Sequence, residues 1–344
     1  MNRNAIVDLR SDTVTRPTPA MRAAMAVAEL GDDVFGDDPT VNRLQERAAE
    51  LFGCEAGLYF PSGTQSNLAA LMSHCQRGDE VIVGQEAHTY RYEAGGGAVL
   101  GSIQPQPLSN LPDGSLDLGE VEAAIKPDDS HFARTRLLAL ENSIGGRVLD
   151  RAYLHAAVEL AVRRGLATHL DGARIFNAAV KLGIHVKDLC RGFDSVSVCL
   201  SKGLGAPAGT VLVGRQEVIS RARRMRKILG GAMRQAGVIA AAGLYALDHH
   251  VERLAEDHAN AARLAQGLAR LGLEVETPQT NMVFVKIPRE ICAPLAQYLK
   301  ADGVLALAGP RMRLCTHLDV DAAGIERVVH AFAAFLAQGM RRNA

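Results

Sequence analysis

The chain has 344 residues, 48% of them hydrophobic, and its 38 lysines and arginines are balanced by 38 aspartates and glutamates. That is enough chain and enough apolar mass for one large domain and a smaller one. Zero net charge supplies no field to hold a polyanion, which argues against nucleic acid as the main partner and for a small-molecule substrate.

In chain order, the N-terminal stretch MNRNAIVDLRSDTVTR breaks its apolar residues with charges and offers no signal-peptide core. A helix pattern over 41–53 leads to the strand-like GLYF at 57–60, followed by a helix pattern at 66–75 and a strand at 80–84. The glycines of EAGGGAVLG, at 93–101, suit a turn or close packing. Further strands are expected at 136–141, 167–171, 195–200 and 210–214, with a helix at 154–165. This alternation is the signature of βαβ units and a largely parallel sheet. A long apolar helix is expected near 235–265, and its longest apolar run, 237–247, is too short to span a bilayer. Strands at 281–287 and 311–318 and an amphipathic helix at 325–339 complete a second, smaller α+β unit.

In open α/β sheets, ligands bind beyond the carboxyl ends of the strands. Past 57–60 comes PSGTQSN, where Ser62, Gly63 and Thr64 open a helix; this is either a plain N-cap or an anion cradle. Past 80–84 comes His88, a structural histidine or a flat ring able to lie on a cofactor and move protons. Asn142 follows the strand at 136–141. Asp171 ends 167–171 with Arg174 three residues on, a cap and a surface arginine or two groups on one rim. Ser201 and Lys202 follow 195–200, where Lys202 either marks the surface or is a desolvated amine awaiting a carbonyl. Taken together, a phosphate cradle, an imine-forming lysine and a carboxylate for a ring nitrogen match pyridoxal phosphate.

Two other clusters read as solvated faces. RARRMRKILGG, at 221–231, is basic but carries no interleaved aromatic residues. His249, His250 and His258 lack clean metal-ligand spacing. The six cysteines, Cys54, Cys75, Cys190, Cys199, Cys292 and Cys315, form no CxxC pair, so no disulfide framework or metal site is expected and reduced thiols fit a cytoplasmic setting.

The segments DLRSDTVTRP, GDDVFGDDPTVNRLQ, PSGTQSNLAAL, HLDGARIFNA, SKGLGAP and GGAMRQAG, in this order over nearly the whole chain, resemble the low-specificity L-threonine aldolases. The resemblance implies the aspartate-aminotransferase-like fold-type I: a seven-stranded, mostly parallel sheet with helices on both faces and a small C-terminal α+β domain. It divides the chain into an N-terminal arm (1–30), a cofactor-binding domain (31–250) and a small domain (251–344). It implies cleavage of β-hydroxy-α-amino acids to glycine and an aldehyde, and a homotetramer with sites between subunits.

Carried over, Lys202 is the Schiff-base lysine, Asp171 the partner of the ring nitrogen, and His88 the ring stacked on the cofactor. Gly63 and Thr64, with Ser62 and Arg234, bind phosphate, while Lys227 and Ser201 lie near the cofactor. Ser11, Arg174 and Arg313 hold the substrate carboxylate. His88 and His131 are the candidate bases for the β-hydroxyl proton. Two departures bear on substrate preference: Phe35 stands where the family commonly has tyrosine, and ENSIGG stands where it commonly reads ENTHNG, with Ser143 and Ile144 replacing a threonine and a histidine. Other pyridoxal phosphate reactions on the same substrates, and a non-catalytic binding protein, are the rival readings.

Overall fold

A computed structural model describes residues 6–342 of the chain. The first five residues of the expected arm and the last two of the small domain lie outside the described residues.

Seven strands form the main sheet, in the order Ala56–Phe60, Thr210–Gly214, Ser195–Cys199, Ala167–Asp171, Thr135–Glu141, Glu80–Gly84 and Gln104–Leu108. Thr210–Gly214 runs antiparallel to both its neighbours, and the remaining pairings are parallel. The carboxyl ends of the other six strands therefore share one edge of the sheet.

Side chains alternate between two apolar layers, which explains why these strands read as continuous apolar runs. Ile82, Leu138, Leu140, Leu170, Val196, Val198, Val211 and Val213 join the larger cluster, covered by helices including Pro39–Phe52, Arg151–Arg163 and Gly237–His249. Val81, Val83, Leu137 and Ala139, with Leu58, Phe60 and Leu212, face the opposite side, beneath helices Gly63–His74 and Gln216–Ile228. Helices thus cover both faces.

The seventh strand, Gln104–Leu108, was not among the segments that read as strands. Its sequence is QPQPL, and two prolines cannot donate to a ladder. It sits at the sheet's edge, pairing only with Glu80–Gly84, where the missing N–H groups cost nothing.

A separate apolar cluster joins Val7 and Leu9 to residues between Ala261 and Phe332. Val7–Asp8 pairs with Val304–Leu305, and Met282–Lys286 pairs antiparallel with Arg311–Cys315. The long helix expected near 235–265 is two helices, Gly237–His249 and Leu254–Arg270. His250 lies at the break, buried, with Nδ1 2.7 Å from the Leu204 carbonyl oxygen. A tertiary hydrogen bond holds a residue whose local propensity alone would have continued the helix. His250 is therefore not part of an exposed polar face, and His258 is likewise half-buried, 3.3 Å from the Asn177 amide. The glycine-rich 93–101 segment includes a short helix, Gly96–Val99.

Candidate active site

The parallel strands bring Ser62, His88, Asn142, Asp171 and Lys202 to the same edge of the sheet. Beyond it lies a cavity of about 500 Å³ whose lining includes Ser11, His88, Glu141, Arg174, Lys202 and Arg313. The two strands of the smaller unit complete it through Met282, Phe284, Arg311 and Arg313.

The turn after Ser195–Cys199 sets Lys202. Gly205 at φ +79° donates its N–H to the Lys202 carbonyl at 2.8 Å, a conformation that suits glycine. The Thr15 hydroxyl donates to the same carbonyl from the N-terminal segment. Lys202 lines the same cavity as His88, Glu141 and Arg174.

Ser62 caps Gly63–His74 by accepting from Gln65 N at 3.2 Å. The N–H groups of Gly63 and Thr64, at the first two helical positions, have no intrahelical partner by geometry and point out of the positive helix end. A Cβ at Gly63 would stand 2.7 Å from Cys199 Sγ, so glycine lets the loop close onto the strand.

Asp171 is buried at the end of its strand. Its Oδ1 accepts from Ala173 N at 3.0 Å and its Oδ2 from Asn67 Nδ2 at 2.8 Å. His88 presents Nδ1 to Glu93 Oε1 at 2.8 Å, and its backbone N–H donates to Glu141 Oε2 at 2.7 Å. The bond to Glu93 raises the His88 pKa. Burial raises Glu93 also, so the pair retains the proton between them more firmly than either group would alone. Burial, together with the charge of Asp171, pushes Glu141 up to about 7.

Arg174 is locked in plane: its Nε and Nη2 donate to the two oxygens of buried Asp12 at 2.7 and 2.6 Å. Burial alone would raise the Asp12 carboxyl, but Arg174, Lys202 and the Asn281 amide override it and hold the carboxyl well below the usual range. The outer edge of the Arg174 guanidinium stays available to the cavity. Among the described residues, Arg313 donates only to the Arg10 carbonyl at 3.2 Å, whereas Arg147 and Arg311 are paired with Glu86 and Glu276.

Among the expected site residues, Ser11, His88, Arg174, Lys202 and Arg313 line this cavity and Asp171 stands beside it. Ser62, Gly63, Thr64, Ser201, His131, Lys227 and Arg234 do not line it. The His131 side chain is 85% exposed and bonds Asp129, Arg234 is paired with Asp32, and Lys227 is exposed. Of the two departures, Ile144 lines the cavity while Phe35 is 76% exposed and outside it. Four further polar residues were not singled out from sequence: Asp12, Asn67, Glu93 and Glu141. Glu141 carried a readable signal, an acidic residue ending an apolar parallel strand. Asn67 carried none, because its partners lie 26 to 104 residues away, and Glu93, five residues from His88, sat in a glycine-rich stretch with no pattern that marks a site.

A family model described as beta-eliminating lyase matches residues 8–290. The low specificity L-threonine aldolase of Escherichia coli (strain K12) is 56% identical over 333 residues, covering 97% of this chain and 100% of that one. The probable low-specificity L-threonine aldolase 2 of Arabidopsis thaliana is 45% identical over 340 residues, covering 95% and 96%. This chain belongs to the low-specificity L-threonine aldolase family. A solved threonine aldolase of Leishmania major has the same fold, with a TM-score of 0.83 at 22% identity over 96% of this chain and 99% of that one.

The family depends on pyridoxal phosphate, and the residues of this aldolase chain fit it. The set contains an amine, a buried carboxylate already holding two donors and able to accept a third, a flat ring beside them, and an open helix end for an anion. No described helix is long and apolar enough to cross a membrane.

Proposed function

We infer that this chain cleaves β-hydroxy-α-amino acids, L-threonine and L-allo-threonine among them, to glycine and an aldehyde. The observation that carries this is the convergence of an amine (Lys202), an imidazole (His88) and two guanidiniums (Arg174, Arg313) on one cavity. When bound, pyridoxal phosphate supplies an electron sink for the pair released from the Cα–Cβ bond.

Each residue then has a defined task. Lys202 would hold the cofactor's aldehyde group through its amine. Asp171, buried and held by Asn67 and Ala173, would accept the ring nitrogen's proton and so sustain the ring as an electron sink. Gly63 and Thr64 offer their N–H groups, and Ser62 its hydroxyl, to the phosphate. Arg174, Arg313 and Ser11 hold the substrate carboxylate, which fixes the direction of the breaking bond. His88 is placed to take the β-hydroxyl proton. Arg234, Lys227 and His131 are exposed on the surface of the single chain, which supports a homotetramer in which a neighbouring subunit supplies them, with Arg234 and Lys227 at the phosphate. Val34 and Phe35 are exposed on the segment that Asp32 ties to Arg234, an apolar surface that such an interface would cover. The arm, large-domain and small-domain division at 30 and 250 is drawn on the same family grounds. Six free cysteines, five of them buried, support a cytoplasmic setting.

The deciding experiment is aldehyde release from L-threonine, L-allo-threonine and β-phenylserine by the cofactor-loaded protein. Release from any of them supports the assignment. Silence on all three, from protein that still shows the bound-cofactor absorbance, refutes it while leaving the cofactor in place.

A further inference from the structure

One buried amide ties together groups that the mechanism uses separately. Asn67 lies one turn into the helix Gly63–His74. Its Nδ2 stands 2.9 Å from Glu93 Oε1 and 2.8 Å from Asp171 Oδ2. Two carboxylate oxygens can only accept from it, so its two N–H groups go one to each. The amide oxygen must then face His169, whose Nε2 lies 3.2 Å away and therefore carries a hydrogen. Burial lowers the His169 pKa to about 4, so the ring is neutral and its Nδ1 accepts from the Ser195 hydroxyl at 2.8 Å. The Ser195 oxygen in turn accepts from His74 Nε2 at 2.8 Å. Every hydrogen in this chain is thereby assigned a direction, and it ends on Glu93, which has His88 Nδ1 as its other partner.

We propose that Glu93 and Asn67 are positioning residues: Glu93 takes the Nδ1–H of His88 and leaves Nε2 as its basic nitrogen, and Asn67 holds the Glu93 and Asp171 carboxylates in one register. The proposal rests on the aldolase reading only in naming the proton that Nε2 accepts. The tautomer and the register belong to the chain itself. One carboxylate oxygen each of Glu93 and Asp171 and one ring nitrogen of His88 lie within 4.8 Å of one another, so the two carboxylates would repel each other without the amide between them.

The charged groups facing His88 are Glu93, Glu141 and Asp171, which favour its protonated form, and Lys202, which opposes it. Replacing Glu93 by glutamine removes the largest of these and lets a side-chain amide donate to Nδ1, which would turn the ring to its Nε2–H form. In cofactor-loaded Glu93→Gln, kcat should fall about 10- to 100-fold, the range for lost partners that orient a histidine. The acid limb of the kcat/KM profile should move about one pH unit lower, and Glu93→Asp should restore its position. In Asn67→Ala, the dissociation constant for pyridoxal phosphate, read by absorbance titration, should rise about 10-fold or more. Wild-type kcat and an unmoved acid limb in Glu93→Gln would overturn the role of Glu93. An unchanged dissociation constant in folded Asn67→Ala would overturn that of Asn67.

Should either variant fail to fold, solid-state ¹⁵N spectra of wild-type holoenzyme labelled at histidine decide the matter. A neutral His88 with hydrogen on Nδ1 agrees with the proposal, and hydrogen on Nε2 overturns it. These spectra and the titration read the same way even if no β-hydroxy amino acid is cleaved, so failure of the aldolase reading is distinguishable from failure of this one.

Discussion

Substituting Asp12 by asparagine should uncouple two properties that the fold joins, the stability of the buried pair and the aim of Arg174. Both Asp12 oxygens accept from the guanidinium, and the Asp12 side chain is fully buried while that of Arg174 keeps 13% exposure. Asparagine replaces one acceptor by an NH2 group facing a donor and leaves the guanidinium without a counter-charge. Stranding one partner of a buried pair costs roughly 3–5 kcal/mol, and the residual exposure of Arg174 places this case near 3 kcal/mol. For a chain of this size that corresponds to a fall in Tm of about 4 °C.

Cofactor-free protein should be used, since ligand binding would mask the loss. The sign of the pH dependence is fixed by the depressed carboxyl. A group whose folded pKa lies below its unfolded value stabilises above the unfolded value and loses that contribution only as pH falls through the folded one. The difference between wild type and variant should therefore be the same in denaturant melts at pH 7 and pH 5. With cofactor, KM for L-threonine should rise about tenfold while kcat changes less, the pattern for lost ground-state binding. A stability difference below about 1 kcal/mol, or one that vanishes between pH 7 and pH 5, would refute the buried-pair argument. An unchanged KM would refute the aiming role.

Lys202→Ala should abolish turnover and the imine absorbance while the protein remains folded, and near-normal activity in a folded variant would remove Lys202 from its role. Glu141, raised by burial to about 7, binds a proton in the folded cofactor-free chain that the unfolded chain has already released, so stability should decline as pH rises from about 4.5 to 7. Glu141→Gln should flatten that slope in melts, and an identical slope would show that Glu141 is not the group responsible. Gly63→Ala would press a Cβ to 2.7 Å from Cys199 Sγ, and overpacking of this kind costs about 1–3 kcal/mol. Melts should show that loss and absorbance titration a weaker hold on pyridoxal phosphate; a variant matching wild type in both would mean that the loop does not need glycine there.

Much of this architecture was legible because it is written in local pattern. Apolar runs of strand length, separated by helix-period segments, placed six of the seven strands and the edge on which Ser62, His88, Asp171 and Lys202 meet. The lysine after Ser195–Cys199 stood out because an amine at the end of a buried strand needs a use or a partner. Gln104–Leu108 was hidden by prolines that only an edge position tolerates, and the break at His250 by a hydrogen bond to a carbonyl 46 residues away.

By itself, then, the sequence determined the layered α/β class, the strand-end positions of the reactive groups and, through its motifs, the cofactor chemistry. Those features depend on residue spacing within a strand or helix, where period and chain geometry suffice. Only the tertiary structure decided that Asp12 locks Arg174, that Asn67 bridges Glu93 and Asp171, and that His131, Lys227 and Arg234 lie outside the chain's own cavity. The bridges join residues 162, 26 and 104 positions apart. A hydrogen bond requires its partners within about 3 Å in a fixed direction, and no local pattern along the chain encodes that closeness.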